Sequence, residues 1–274
     1  MQIGQVQGNN IFSNLKTLFS YRELLFSLTR KELKVKYRGS VLGFFWSLLN
    51  PILVMLVYSF VFSIIMRLGI KHYAVFLVSV LLPFNFLSNS VNYGANSIIA
   101  NGSLINKIYF PREIIPLSVV FANLFNFLFE LIALFIVLTI LGYKFYMYLY
   151  LLPVLIIIQF FLVAGSTLLV SALNVFFRDL QHLISIIMMI WFFGTPVIYS
   201  LSMVPEKFRY IMVVNPMTVF SIFYRNVFYY INYPEELQFP SIRTVLLCVA
   251  ITFFIFFLGY FIFKKLESRF AEEI

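Results

Sequence analysis

Glu130 is the only acidic side chain deep within a long apolar run, the stretch from 114 to 141. On insertion scales a central Asp costs about 2.5–3.5 kcal/mol, and Glu is similar. A carboxyl held at that depth is by default a functional candidate. Asn126 lies one helical turn earlier, so a structural hydrogen bond from a protonated Glu130 to Asn126 is the expected arrangement. A charge that takes part in transport is the alternative. Amides recur at helical spacing elsewhere: Asn85, Asn89, Asn92 and Asn96 fall on one arc, Asn123 and Asn126 precede Glu130 on another, and Gln159, Ser166, Thr167 and Asn174 mark a third. Such groups do not face lipid cheaply. They read either as hydrogen bonds between helices or as a polar wall along a path through the membrane.

A second constellation is the segment NKIYFPREIIP at 106–116. Lys107, Arg112 and Glu113 form a charged island between the charge-free stretches 73–106 and 114–129. Ile105, Ile108, Tyr109 and Phe110 are available as apolar anchors, with the three charges as their rim. Pro111 and Pro116 give the island abrupt ends. Read from the residues alone, it is either a docking element or a plain loop whose positive charges set topology.

Other chemistries are excluded. His72, His182 and Cys248 are too few for a zinc or haem site, so no metal centre is expected. No GxxxxGK[ST] loop is present to cradle ATP phosphates, and no catalytic residues are expected. There is no basic voltage-sensor repeat and no TVGYG filter.

These residues need elements to carry them. Of 274 residues, 62% are hydrophobic and 11% charged, against roughly 25% charged in a soluble domain. The bulk of the chain must lie in lipid. The net charge of +9 flanks apolar runs instead of clustering on a soluble face, which argues for membrane topology and against nucleic acid. Six runs are long enough to span, at about 41–66, 73–99, 114–141, 147–175, 183–201 and 244–263. With both ends cytoplasmic, thirteen of the 20 Lys and Arg lie inside; the outer set is Arg67, Lys71, Lys144, Lys207, Arg209, Arg225 and Arg243. The polar tail 1–20 lacks the apolar core of a signal peptide and is expected to stay on the side of synthesis. Asn215-Pro216 breaks the apolar stretch 205–232 into two pieces that suit short outer re-entrant helices. Residues 22–38 form an amphipathic interface helix with basic side chains for anionic headgroups. The expected fold is an all-α membrane protein: one permease domain over 21–274, with six spans, the interface helix, a cytoplasmic helix at the island and the re-entrant pair.

Four stretches carry a resemblance. YRGSVLGFFWSLLNP at 37–51, NKIYFPREIIP at 106–116, NVFFRDL at 174–180 and NPMTVFSIFYR at 215–225 resemble, in order and depth, the permeases of polysaccharide-exporting ATP-binding-cassette transporters. The match covers nearly the whole chain from about Tyr21. It implies that Leu104–Glu113 is a coupling helix docking into a cleft on a separate ATPase subunit, and that ATP and Mg bind there and not in this chain. The residues concerned are Leu104, Ile105, Lys107, Ile108, Tyr109, Phe110, Pro111, Arg112 and Glu113. It implies two permease copies and two ATPases in the bacterial cytoplasmic membrane. The substrate would be a glycan or polyol-phosphate polymer on a polyprenyl diphosphate lipid.

A channel at the dimer interface would be lined by spans one and five, with Phe44, Phe45, Trp46, Tyr58, Trp191, Phe192, Phe193 and Tyr199 as candidates beside the Asn85–Asn96 stripe. Asn215, Pro216 and Arg225 would form an outer gate. By charge, Arg30, Lys34, Tyr37 and Arg38 are the expected headgroup site. A permease for small lipophiles and a membrane enzyme of lipid-glycan metabolism are the rival readings. The latter should carry clustered acids or histidines at one membrane face. O-antigen, capsule and teichoic acid all remain open as the polymer.

Overall fold

The computed structural model describes residues 19–65, 70–233 and 237–273. Most of the tail 1–20 and the outer charge Arg67 lie outside them, as does the side chain of Phe44. Every regular element among the described residues is helical.

Helix α1, Arg22–Lys36, buries Leu28 and Thr29 and lies across α4. Helix α2, Trp46–Tyr58, is entered through a 3-10 turn, Gly43–Phe45, and continues as a π turn, Ser59–Ile65. Pro51 within it removes one backbone donor, and only Ser47, Pro51 and Met55 are buried, on one stripe at four-residue spacing. Helices α3 (Tyr73–Ala95), α4 (Ile114–Ile140) and α5 (Leu152–Phe176) pack together as the centre of the bundle. Helix α6, Leu180–Phe193, packs on α3 and buries only Ile184 and Met188. Helices α7 (Glu206–Val214) and α8 (Pro216–Phe228) meet at a 97° bend. Helix α9, Ile242–Leu266, lies along α5.

Two glycine contacts set how closely the helices approach. A Cβ on Gly259 of α9 would overlap the carbonyl of Gly165 on α5, and a Cβ on Gly94 of α3 would overlap the Thr167 methyl. At Gly165 and Gly259 backbones meet directly, as small residues permit between membrane helices.

The expected count of six spans is met only in part. Among the described residues, four helical segments are long and apolar enough to cross a membrane: Tyr73–Ala95, Ile114–Ile140, Phe145–Phe176 and Ile242–Glu273. The bent pair α7–α8 makes a fifth only if counted as one span, and α2 and α6 are shorter apolar helices. The run expected as a helix over 183–201 stops at Phe193, because Gly194 caps it and Pro196 cannot continue it. At about 1.5 Å per residue its 14 residues fall short of a bilayer core.

Candidate functional site

The charged island divides by direction. It is not one helix, contrary to expectation: a helical turn, Gly102–Ile105, gives way to turns and irregular backbone through Glu113. Ile105 and Phe110 point inward and join Leu28, Ile98, Ile114, Leu168, Phe263 and Phe270 in a hydrophobic cluster. Glu113 is 1% exposed and pairs with Lys264 of α9 at 2.8 Å, and is therefore no rim charge. Lys264 also reaches Glu267 at 3.2 Å. Arg112 donates from Nη1 to the Glu267 carbonyl. Outward stand Ile108, Tyr109 at 89% exposure, and Lys107. Half of the expected anchors are thus internal packing, and the loop is fastened to the end of α9 and the turn after it.

Behind α1 lies a cavity of about 380 Å³ of mixed lining, between α1, α3 and α4. Asn92, Asn96, Asn123 and Asn126 line it, with Lys36 and Tyr93 at its edge. Asn126 accepts from the Tyr37 hydroxyl at 2.8 Å, so the expected pairing of Asn126 with Glu130 is replaced by one with Tyr37. The amide Nδ2 of Asn126 has no hydrogen-bond partner. Burial, and after it the charge of Glu130, raises the Tyr37 phenol above its usual value, which keeps it a donor. Glu130 is half-buried and near enough to Lys36 for the two charges to interact. Tyr37, expected among the headgroup ligands, is turned inward, while Arg30, Lys34 and Arg38 are exposed. Asn85 and Asn89 are half-buried. Gln159 is structural: Nε2 donates to the Pro83 carbonyl and Oε1 accepts from Tyr224, both at 2.7 Å.

At the opposite end, α6 gives way to irregular backbone that α8 must satisfy. Asn215 accepts from the Met217 amide at 3.0 Å, capping α8, and from Trp191 Nε1 at 2.8 Å; its Nδ2 donates to Gly194 O and Thr195 Oγ1. Arg225, read as an outer-loop charge, is instead 2% exposed. Its guanidinium donates to the carbonyls of Phe76, Tyr199 and Val197 and lies 3.7 Å above the Phe76 ring. Non-helical backbone at membrane depth is tolerated only when such partners are supplied.

The aromatic candidates scatter. Phe45, Trp46 and Phe193 are exposed. Phe192 packs edge-on against Phe84 at 5.2 Å, Tyr58 stacks on Phe62 at 5.7 Å, and Tyr199 donates to the Phe193 carbonyl. Beyond their buried stripes, α2 and α6 expose Leu53, Leu56, Val57, Ile186, Met189 and Ile190.

Lys264, Glu267, Phe270, Lys36 and Tyr93 were not singled out as site residues from the sequence. Phe270 and Glu267 lie in a short charged end segment with no periodic signal. The Arg112–Glu267 contact joins residues 155 apart in sequence. Among the described residues no group of three or more His, Cys, Asp or Glu could hold a metal.

The profile of a family described as ABC-2 type transporter matches residues 23–229. The chain is 37% identical over 262 residues to the O-antigen export system permease protein RfbA of Myxococcus xanthus, covering 95% of this chain and 98% of that one. A protein of the same name from Klebsiella pneumoniae is 36% identical over 261 residues, covering 94% and 96%. With several apolar helices fit to span a bilayer and a profile match across most of its length, the chain is a membrane protein of the ABC-2 type transporter family.

Proposed function

We propose that this chain is the membrane subunit of an ATP-driven exporter that moves a lipid-linked polysaccharide across the bacterial cytoplasmic membrane. The observation that carries the reading is the end-to-end similarity to permeases named for O-antigen export. Two copies and two ATPase subunits make the working unit, and ATP and Mg bind the ATPases. Teichoic acid or capsule polymer falls within the same substrate class.

The geometry supports a mechanism. The end bearing α1 and the C-terminal turn faces the cytoplasm. Six crossings are made by 43–65, α3, α4, 145–176, α6 with its irregular continuation, and α9. The bent α7–α8 pair enters from the outer side and fills the depth that α6 leaves uncovered. Ile108 and Tyr109 project from a loop that Glu113, Arg112, Ile105 and Phe110 fix to the bundle. A push on that tip moves α4 and α9 together instead of flexing a linker. The apolar faces of α2 and α6 are then available to a second copy, with the polymer passing between copies past Phe45, Trp46 and Phe193. Asn215 and Arg225 hold the outer end in shape. Exposed Arg30, Lys34 and Arg38 attract the diphosphate.

The test is genetic and biochemical together. A strain lacking this permease is complemented with the wild-type chain, and surface polysaccharide is measured alongside co-purification of an ATP-binding-cassette ATPase. Restoration of surface polymer with a bound ATPase supports the reading. Normal surface polymer in the deletion strain, or an assembled complex that exports only small lipophiles, rejects it.

A further inference from the structure

Residues 267–273 stand beyond the last apolar run and yet are built into the bundle. After α9 the chain tightens into a 3-10 turn, Glu267–Arg269, and then forms a helical turn, Phe270–Glu273. Helix α9 does not need this segment for its place along α5, because the backbones of Gly259 and Gly165 already meet there. The segment nevertheless turns back so far that Phe270 is fully enclosed. Its ring lies 5.3 Å from Phe263 on α9 and 6.3 Å from Phe176 at the end of α5. The Glu267 carbonyl accepts from half-buried Arg112, and the Glu267 carboxylate shares Lys264 with Glu113. One short segment therefore touches the ends of α5 and α9 and the exit of the loop 106–113.

At that exit a displacement of the loop divides. The carbonyls of Arg112 and Glu113 accept the Ile115 and Leu117 amides, so both residues are continuous with α4. Along the chain, a push on Ile108 and Tyr109 reaches α4 alone. To reach α9 and α5 it has to cross between side chains. The apolar contacts of Ile105 and Phe110 join the same elements, but such contacts are non-directional and let surfaces slide. The Arg112 bond and the shared Lys264 fix a direction. We propose that residues 267–273 act as a strut, with Arg112 and Phe270 as its positioning residues, that passes movement of the loop to α9 and α5 and so couples ATP hydrolysis to export. The proposal rests on the export reading above. It gives the C-terminal turn a part in energy transfer and none in ATPase binding or in the path of the polymer. Without the strut the ATPase binds and hydrolyses ATP, but the push ends in α4.

The experiment uses the full permease with an ATP-binding-cassette ATPase, both in a strain lacking the permease and as the purified complex in phosphatidylcholine nanodiscs. Surface polymer, bound ATPase, ATP hydrolysis and Tm are measured for each variant. Arg112→Met removes the donor to the Glu267 carbonyl and leaves the apolar cluster whole. Arg112→Lys keeps a charged donor. Two glycines inserted between Leu266 and Glu267 keep every residue and loosen the joint between the turn and α9. Arg112→Met and the insertion should leave Tm unchanged and bound ATPase and hydrolysis within about twofold of wild type, while surface polymer falls about tenfold, as when one hydrogen bond to a charged group is lost from one side of a conformational equilibrium. Arg112→Lys should recover most of the polymer, which a loss of folding would not allow. Surface polymer within about twofold of wild type in both Arg112→Met and the insertion overturns the strut and leaves the export reading standing. Loss of polymer matched by loss of bound ATPase also overturns it, because the turn then only shapes the docking surface. A wild-type complex that hydrolyses ATP but restores no surface polymer rejects the export reading itself.

Discussion

The two ends of the bundle meet the same problem in different ways. At each, irregular backbone must be held against helices. At the α8 end the holder is Arg225, a buried cation with three backbone carbonyls and an aromatic face as partners. At the α1 end the holder is an ion pair, Glu113 with Lys264, reinforced by Glu267 and by Arg112 on the Glu267 carbonyl. Carbonyl partners are fixed parts of the backbone and cannot be exchanged. Carboxylates sit on side chains, and Lys264 has two of them, so the α1 end tolerates rearrangement better. On the proposed export reading, with the α1 end cytoplasmic, the contrast suits a fixed outer end and an inner end that transmits motion.

The largest effect is expected at Arg225. Arg225→Met removes every donor to Phe76, Tyr199 and Val197 at once. Each hydrogen bond to a charged group contributes about 1.5–3 kcal/mol, so the variant should fail to yield a monodisperse protein in detergent. Arg225→Lys keeps the charge but loses the planar fork, and should give a protein with a clearly lowered Tm. An Arg225→Met variant with wild-type Tm and elution would remove the distinction between the ends.

Next comes Phe110→Ala. The ring is 5% exposed within the cluster that includes Phe263 and Phe270. Truncating a buried Phe costs about 3–5 kcal/mol, and thermal unfolding of the purified permease should show it. Phe270→Ala should behave alike, because its ring is fully buried and packs against Phe263 at 5.3 Å.

The ion pair sharpens the comparison through an asymmetry. Lys264→Met leaves Glu113 buried without its cation, and breaking a buried pair from one side costs about 3–5 kcal/mol, less here because Lys264 is partly exposed. Glu113→Gln leaves Lys264 its second carboxylate, Glu267, and should cost about 1 kcal/mol, as for one hydrogen bond. The double variant should recover part of the Lys264→Met loss in a double-mutant cycle. Equal losses from both single changes, adding in the double, would mean that the pair is not coupled.

What the sequence made legible follows from range. Apolar runs set α3, α4, α5 and α9 to within a few residues, because each is a local property of about 20 consecutive side chains. Asn215-Pro216 marked the break between α7 and α8 for the same reason. Over 183–201 the helix is shorter than the apolar run, since Gly194 and Pro196 signal a stop even though Ile198 and Tyr199 continue the run. Partners distant in the chain were not legible. Tyr37 takes Asn126 across 89 residues, and nothing near either residue predicts it. The direction of each side chain in 104–113 was hidden too, because burial of Glu113 depends on Lys264. Arg225 was misplaced by an averaged rule: positive-inside counting treats every loop cation as solvated.

The smallest effect on stability, and the most informative for function, is expected at the loop tip. Tyr109 is 89% exposed and Ile108 57%, so Tyr109→Ala and Ile108→Ala should leave Tm unchanged. If the tip meets an ATPase, it is the most exposed apolar part of 104–113, since Ile105 and Phe110 are enclosed and Leu104 is partly buried. Interface anchors of this kind contribute about 2 kcal/mol or more, roughly a thirtyfold loss of affinity. Lys107→Ala, a rim charge, should cost about 0–1 kcal/mol. Co-purification of the ATPase with each variant separates the contributions, and Phe110→Ala supplies the contrast: it should lower Tm as well as association, whereas Tyr109→Ala lowers association alone. The order of effects would be reversed if the loop served only to set topology. Lys107→Ala would then disturb orientation, and the tip aromatic would be silent. Full ATPase retention in an Ile108→Ala, Tyr109→Ala double variant of normal stability would end the case for this loop as the coupling contact.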